Sequence, residues 1–262
     1  MTLDGWQQAI LPRLQEMNFR AANDEDVTLL AYFFWDDERI ETKFYTIECT
    51  FLCAFANLGL MKSVLVVNKT TPHMEAFCKK YNIHIDVDSS LTGGVPTMNV
   101  DCIKNLYRRF STKYVLIIQS DGLVANPCSL AEYKKYDYLG APWPKGPWGI
   151  RYLRAVDFVV GNGGLTLRSH RICRLSSVIH NLFFRWFSYG WYDIDDVFYS
   201  LIVRFLCPFL SFPSSKKAAA FSIEELAPYA SQDPPFGFHA EVGFRSYVGR
   251  YGVPMKQYLE FE

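Results

Sequence analysis

The chain has 262 residues, of which 50% are hydrophobic and 21% are charged, and its 27 Lys and Arg residues balance 27 Asp and Glu residues. This composition excludes a disordered, collagen-like or coiled-coil protein, and the length suits one large α/β domain or two small ones. The balanced charge also removes any global electrostatic argument for nucleic-acid binding, because duplex-binding proteins normally carry a basic excess.

The cysteines and the N-terminal segment bear on the compartment. Seven cysteines are spread along the chain without a C-x-x-C pair, which predicts reduced thiols and a cytoplasmic location. The N-terminal segment holds Asp4 and Glu16 and no apolar run, so no signal peptide is predicted. The most apolar stretch, residues 197–212, is interrupted by Arg204 and Pro208 and is too short to span a membrane.

The first half of the chain alternates β-rich runs with amphipathic helical patterns, which is typical of βαβ units and a mostly parallel sheet. Strands are predicted over residues 27–34, 63–68, 83–87 and 114–119. Helices are predicted over residues 40–58, from Pro72 onward, and over residues 100–110. Ligands in open α/β sheets bind beyond the carboxyl ends of strands, so Asp121 is a candidate site residue. A turn or a helix cap is the alternative role for it.

The second half contains turn-rich segments and one clear helix. Residues 137–148 are rich in Pro, Gly and Trp, including Trp143, and loops of this kind more often bind than pack. Residues 171–185 are predicted to be helical, and residues 218–222 are predicted to start a strand. No linker divides the chain, so a single domain over residues 1–262 is expected.

A glycine-rich motif follows, in which Gly161, Gly163 and Gly164 surround Asn162. Glycines permit positive φ and close backbone approach, so the motif predicts a loop placed against the sheet beside a ligand. A plain hairpin turn is the alternative. The motif lacks the G-x-G-x-x-G order of a dinucleotide-binding fold and the Lys of a P-loop.

Two further motifs carry titratable groups. Asp193, Asp195 and Asp196 lie within one helical turn, which predicts a helix N-terminus, and one of the carboxylates could serve as a general base. Simple N-capping is the alternative. His239 follows a Phe-Gly-Phe sequence and could ligate a metal or be a packed core histidine.

Taken in order, these segments resemble a family of uncharacterised glycosyltransferases with a GT-A-type fold, over roughly residues 27–241. The resemblance rests on a strand ending in Gln-Ser-Asp121, then Tyr-Asp-Tyr-Leu-Gly-Ala-Pro-Trp143, Gly-Asn-Gly-Gly-Leu-Thr-Leu-Arg168, Asp-Asp-Val-Phe198, Ala-x-x-Phe-Ser222 and Phe-Gly-Phe-His239. It implies an α/β, GT-A-like, Rossmann-related fold with a mostly parallel sheet flanked by helices. The nucleotide-binding half is then about residues 27–121, and the acceptor and catalytic half is about residues 122–262.

The resemblance also implies roles for individual residues. Asp121 and His239 would hold Mn²⁺ or Mg²⁺, and Asp196, with Asp195, would be the catalytic base. The donor would be a nucleotide sugar, with a UDP-sugar favoured. It would contact Asp121 and six further residues, and two other residues would face the acceptor. The donor positions are Gln119, Ser120, Gly161, Asn162, Gly163 and Gly164, and the acceptor-side residues are Trp143 and Asp193. The acceptor would be a carbohydrate or lipid-linked hydroxyl, as in polysaccharide biosynthesis.

One departure and three alternatives accompany this interpretation. Position 119, where many GT-A enzymes have a first carboxylate, is Gln, so a metal would have one fewer anionic ligand. The same Gln119 excludes a haloacid-dehalogenase-type phosphatase, because glutamine cannot form an acyl phosphate. Inversion follows if Asp196 is a base facing the acceptor; otherwise a retaining route stays open. The aromatic stretch of residues 183–192 with Arg185 leaves open a non-catalytic binding module at a membrane surface.

Overall fold

The computed structural model describes residues 1–35, 39–92, 94–143, 160–187, 189–224 and 232–256. A central six-stranded sheet has the order β3-β2-β1-β4-β7-β6, and a small sheet has the order β5-β9-β8. β1 pairs in parallel with β2 and β4, and β2 pairs in parallel with β3. β7 runs antiparallel to both β4 and β6. The strands are β1 (Val27–Tyr32), β2 (Ser63–Val67), β3 (Ile83–Val87), β4 (Tyr114–Ile118), β5 (Gly122–Val124), β6 (Tyr138–Pro142), β7 (Val160–Ser169), β8 (Ser222–Ile223) and β9 (Gly237–His239).

Helices cover both faces of the central sheet. One face packs on α1, α3, α4, α9 and α10, and the other packs on α5, α6 and the helical segment that begins at α7. The helices are α1 (Leu3–Gln15), α2 (Arg39–Thr42), α3 (Phe44–Leu58), α4 (Pro72–Tyr81), α5 (Val95–Lys104), α6 (His170–Phe183), α7 (Asp195–Val197), α8 (Arg204–Leu206), α9 (Ser215–Phe221) and α10 (Ala240–Tyr251), and a π-helical segment, Phe198–Val203, joins α7 to α8. The predicted fold class, an α/β protein with a mostly parallel sheet flanked by helices, is confirmed.

The predicted strands and the helix from Pro72 are confirmed because local signals and burial agree. β1, β2 and β4 are buried along their whole length, as parallel strands covered on both faces must be. Thr71 caps α4 by accepting a hydrogen bond from the Met74 N–H, and Asn82 ends the helix in the left-handed conformation. The helix predicted over residues 40–58 is divided into α2 and α3 at Lys43.

Two predicted boundaries are wrong. α5 begins at Val95, five residues before the predicted start at residue 100, because Pro96 is preorganised for the first helical turn after Gly94 at φ +65°. Residues 218–220 belong to α9, which Ser214 caps, and the strand starts only at Ser222. α1 was not predicted from the sequence at all.

The thiols and the membrane prediction can also be compared with the structure. All seven cysteines are free thiols, and six of them are buried. Within the residues described above, no helix is both long and apolar enough to cross a bilayer. The second part of the turn-rich stretch, residues 144–148, lies outside the described residues.

Candidate functional site

The glycine-rich motif lies on the part of β7 that extends past the end of β4. Ile118, the last residue of β4, pairs with Leu165, so residues 161–164 project beyond the carboxyl edge of the neighbouring strand. The predicted loop is therefore wrong, because these residues continue a strand that β6 pairs on its other side. Gly161, Gly163 and Gly164 all lie outside the positive-φ region. What glycine provides here is close approach to neighbouring side chains.

Each glycine of the motif touches a side chain from a distant segment. A Cβ on Gly161 would overlap the Trp143 ring, and a Cβ on Gly164 would overlap the His239 imidazole. A Cβ on Gly163 would lie 3.3 Å from the Cβ of Asp196. β7 therefore brings Trp143, Asp196 and His239 together along a few residues of backbone. The side chain of Asn162 lies outside the described residues.

Asp121 and His239 are held beside each other by the small sheet. Gly122 pairs with His239, and the Ala240 N–H donates to the Asp121 carbonyl at 2.9 Å. His239 Nε2 lies 3.4 Å from Asp121 Oδ1, and Nδ1 lies 3.6 Å from Glu224 Oε1. Burial opposes the charge on the imidazole, yet the two carboxylates outweigh it and raise the pKa of His239 to about 10. In return, and despite burial, His239 lowers the pKa of Asp121.

The donor set at Asp121 and His239 suits part of a divalent metal site. A carboxylate oxygen and an imidazole nitrogen are ligand types that Mn²⁺ accepts, and Mg²⁺ commonly takes its other ligands from water and substrate phosphates. Across the described residues, no group of three or more His, Cys, Asp and Glu side chains is arranged to hold a metal ion. The Gln119 amide lies 3.9 Å from Met98 Sδ and lines the adjacent cavity. These residues therefore fit a metal that shares its coordination with a bound ligand.

The paired aspartates at the start of α7 have different environments. Arg168 is fully buried between Tyr138 and Tyr199 and donates to Asp195 at 2.5 Å. The Arg168 guanidinium thus engages Asp195, and the expected catalytic role of Asp195 stays a prediction. Asp196 is half-buried beside Gly163. Burial and the neighbouring Asp195 carboxylate raise the pKa of Asp196 to about 7.

The two expected acceptor-side residues are buried. Asp193 forms a pair with His180 Nε2 at 2.8 Å and accepts a hydrogen bond from the Gly190 N–H at 3.0 Å, so it anchors the segment before α7. Trp143 is 7% exposed and packs with Val197 and Leu201. Both residues therefore lie beneath the surface of the site, and their expected place beside an acceptor stays a prediction.

A cavity of about 290 Å³ opens at the carboxyl ends of β1 and β4. Its walls are aromatic on the β1 side and polar at the end of β4, and the Arg39 guanidinium stacks over Trp35 at 4.3 Å. The lining residues are Tyr32, Phe33, Phe34, Trp35, Arg39, Gly94, Val95, Met98, Gln119 and Ser120. Asp88, just after β3, is bound by Ser90 and Arg109, and Asp36 lies outside the described residues.

Gln7 of α1 is a site-supporting residue that the sequence interpretation missed. Its side-chain amide donates to the Ser120 carbonyl at 2.8 Å, next to Asp121. The signal was present, because Gln7 is a polar residue on the face of α1 that carries Leu3, Ile10 and Leu14, and all four are buried. A buried amide on an apolar face needs a hydrogen-bond partner, and the carbonyl of Ser120 is that partner.

The sequence and its fold were compared with those of known proteins. The family model described as Protein of unknown function (DUF5672) matches residues 95–239, which is more than half of the chain. The chain belongs to this family. The DUF5672 region contains Asp121, the glycines of β7, Asp196 and His239, whereas the β1 wall of the cavity precedes it. No curated protein matches the sequence significantly.

Solved structures with a similar fold are glycosyltransferases. A mannosyltransferase from Pyrobaculum calidifontis, in complex with GDP-Man and Mn²⁺, is 12% identical over 94% of this chain and 66% of its own length, with a TM-score of 0.41. The mannosyltransferase Ktr4p from S. cerevisiae is 9% identical over 82% of this chain and 76% of its own length, with a TM-score of 0.44. Glucosyl-3-phosphoglycerate synthase from Mycobacterium tuberculosis, in complex with Mn²⁺, UDP-Glc and phosphoglyceric acid, is 9% identical over 62% of this chain and 66% of its own length, with a TM-score of 0.37.

Proposed function

We propose that this protein is a glycosyltransferase that moves a sugar from a nucleotide sugar to a hydroxyl group. The observation that carries the proposal is the convergence of Asp121, Asp196 and His239 from distant segments onto the glycines of β7, next to the cavity. Glycosyl transfer needs a bound donor, charge compensation on the departing diphosphate and a base for the acceptor hydroxyl. The site offers a group for each of these requirements.

The donor would lie across the ends of β1 and β4, within the half formed by about residues 27–121. The aromatic wall suits a stacked base, with a UDP-sugar favoured, and the diphosphate would extend past Ser120 toward Asp121. Asp121 and His239 would hold Mn²⁺ or Mg²⁺, which supplies Lewis-acid neutralisation of the leaving diphosphate. The Arg39 guanidinium adds positive charge at the cavity wall.

Asp196 would remove the proton from the acceptor hydroxyl, within the half formed by residues 122–262. Because the pKa of Asp196 is about 7, a large share of its side chain is ionised near neutral pH. The ionised carboxylate can accept the proton of the acceptor hydroxyl in the transition state. Arg168 fixes Asp195 and so orients the first turn of α7. A base in this position supports inversion at the sugar carbon, and the acceptor is a glycan or a lipid-linked hydroxyl. The seven free thiols support a cytoplasmic location.

The test is a screen of nucleotide sugars for hydrolysis or transfer with Mn²⁺ or Mg²⁺ added, combined with thermal shift. A ligand at about 100 times its Kd adds roughly 2.7 kcal/mol of stability, so binding is readily seen. Asp196→Asn is expected to retain nucleotide binding and to lose at least about 100-fold in turnover. Asp121→Ala is expected to lose the metal-dependent part of nucleotide binding. Full turnover by Asp196→Asn would remove its assignment as the base.

A non-catalytic nucleotide-sugar or glycan binding module is the second candidate. Gln119 favours it, because a neutral amide stands where a carboxylate would strengthen metal binding. This module would be stabilised by a nucleotide sugar yet would neither hydrolyse nor transfer it. No stabilisation by any nucleotide, with or without metal, would reject both nucleotide-based functions.

A further inference from the structure

The outer face of α6, the residues just after it, and the segment that carries Phe205 and Phe209 expose apolar and basic side chains, and the Phe209 ring lies near Arg171 of α6. We call these side chains together the α6 surface. Four aromatic side chains on it are more than half exposed: Trp186 at 77%, Phe187 at 64%, Phe205 at 76% and Phe209 at 64%. The α6 surface consists of Arg171, Arg174, Val178, Leu182, Arg185, Trp186, Phe187, Phe205 and Phe209.

The α6 surface is continuous along the helix. Four of its members, at positions 171, 174, 178 and 182, follow the three-and-four spacing of one face of α6, and Arg185, Trp186 and Phe187 come just after the helix ends. The opposite face of α6, with Cys173, Ser176 and His180, is buried against the sheet. At one end the Arg171 guanidinium lies 5.9 Å from the Phe209 ring, and at the other end Arg185 lies 4.0 Å from the Trp186 ring.

The charged side chains of the α6 surface are all basic: Arg171, Arg174 and Arg185. From residue 158 to residue 223 the acidic residues are Asp193, Asp195 and Asp196, and the structure places these in buried pairs or in the candidate site. Asp137, which Arg171 binds, is buried, and so is Asp101 on the neighbouring α5. The α6 surface therefore contains arginines and no acidic residue, in a chain whose formal net charge is zero.

We propose that the α6 surface binds an anionic lipid bilayer. Aromatic rings favour the headgroup region, and arginines beside them attract anionic headgroups, so the surface combines an apolar and an electrostatic contribution to peripheral binding. A second copy of this chain fits less well, because a two-fold interface through this face would bring its arginines against one another.

Bilayer binding would also set the position of the candidate site. The helical segment that exposes Phe205 begins at Asp195, so Asp196 lies on an element that ends at the α6 surface. Docking would place Asp196 near the headgroups, within reach of a lipid-linked acceptor. This last step rests on the proposed function, whereas the bilayer binding itself does not.

The experiment is flotation of the full chain with vesicles of phosphatidylcholine containing 30% phosphatidylglycerol, without nucleotide or metal. We expect binding that weakens with salt and is lost on pure phosphatidylcholine. Arg174→Glu is expected to lower the partition coefficient by at least about five-fold, and Trp186→Ala with Phe187→Ala is expected to lower it by a similar factor. Arg13→Glu and Val242→Ala, at exposed positions on the opposite face of the sheet, are the matched controls and should bind as the unmodified chain does.

Three outcomes would overturn the proposal. The first is no flotation with anionic vesicles, and the second is an equal loss in the two control variants. The third is concentration-dependent dimerisation that Trp186→Ala with Phe187→Ala abolishes, since the face would then bind a second copy. Because no nucleotide is present, failure here leaves the transferase assay untouched, and failure of that assay leaves bilayer binding standing.

Discussion

Asp196 holds a carboxyl group where burial and the Asp195 carboxylate both oppose ionisation. The pKa of Asp196 is raised to about 7 in the folded chain, whereas in the unfolded chain it returns to an ordinary value near 4. The unfolded state therefore loses its proton first as pH rises, and the folded state loses stability between about pH 4 and pH 7. Such a cost accords with the role of base that we propose for Asp196.

Asp196→Asn is accordingly expected to be more stable than the unmodified chain at neutral and alkaline pH. The difference in Tm should be close to zero near pH 4, grow through pH 7 and then level off at about 2–6 °C. Thermal unfolding followed by circular dichroism from pH 4 to pH 9 measures it. A difference that is constant with pH would contradict the raised pKa of Asp196.

Asp88→Asn is the matched control with the opposite sign. Ser90 and Arg109 lower the pKa of the Asp88 carboxyl, so its charged form stabilises the fold above the unfolded pKa. The variant should be less stable at neutral pH and approach the unmodified chain as pH falls below 4. The two variants together separate a local charge effect from a general effect of amide substitution.

Residue types and spacing were enough to identify Asp121, Asp196 and His239 as candidates, and the structure brings them together. The same spacing could not separate Asp196 from Asp193 and Asp195, because all three lie within one helical turn. The distinction comes from tertiary partners: His180 on α6 pairs with Asp193, and Arg168 on β7 pairs with Asp195. Partners so distant in sequence leave no local signal.

At the scale of elements, β7 decides where the site lies. Strands β1 to β4 and helix α4 were predictable because burial on both faces and capping residues act locally. The glycine-rich motif predicts a loop because glycines permit positive φ and close backbone approach. Pairing with β6 outweighs that cost and keeps residues 161–164 extended past β4, where their missing side chains make room for His239 and Trp143.

Gly164→Ala tests this role of β7. The new methyl group would overlap the imidazole of His239, which must then move away from Asp121. Overpacking of this kind costs about 1–3 kcal/mol, and metal-dependent nucleotide binding should fall with it. Differential scanning calorimetry and titration with Mn²⁺ and a UDP-sugar measure the two effects.

Gly249→Ala is the control for that variant. A Cβ at Gly249 meets nothing within 4 Å, and the position lies inside α10, where alanine is favoured over glycine by about 0.5–1 kcal/mol. We expect a small rise in Tm and unchanged binding. If Gly164→Ala behaved like Gly249→Ala, close approach would not be the reason for glycine at position 164.

At the scale of the whole molecule, α1 packs against the two chain segments that carry the candidate site. Trp6 packs on Phe244 of α10, the Leu3 N–H donates to Glu241, and Gln7 reaches the Ser120 carbonyl. The helix therefore contacts both chain segments that carry Asp121 and His239. Sequence patterns could not show these contacts, because the local sequence of α1 does not indicate which distant segments the helix packs against.

Gln7→Ala is expected to loosen the turn that holds Asp121. Loss of this partly buried hydrogen bond removes the Gln7 amide from the Ser120 carbonyl, at a cost of about 0.5–1.5 kcal/mol. Amide hydrogens of Gln119 and Gly122 should exchange faster, and affinity for a nucleotide sugar with Mn²⁺ should fall several-fold. Gln8→Ala is the control, because Gln8 is exposed and bonds to Asp4 and Tyr45 on the outside of the helix. Faster exchange in both variants would mean that α1 frays as a unit, whereas an effect confined to Gln7→Ala would tie the Ser120 contact to the geometry of the site.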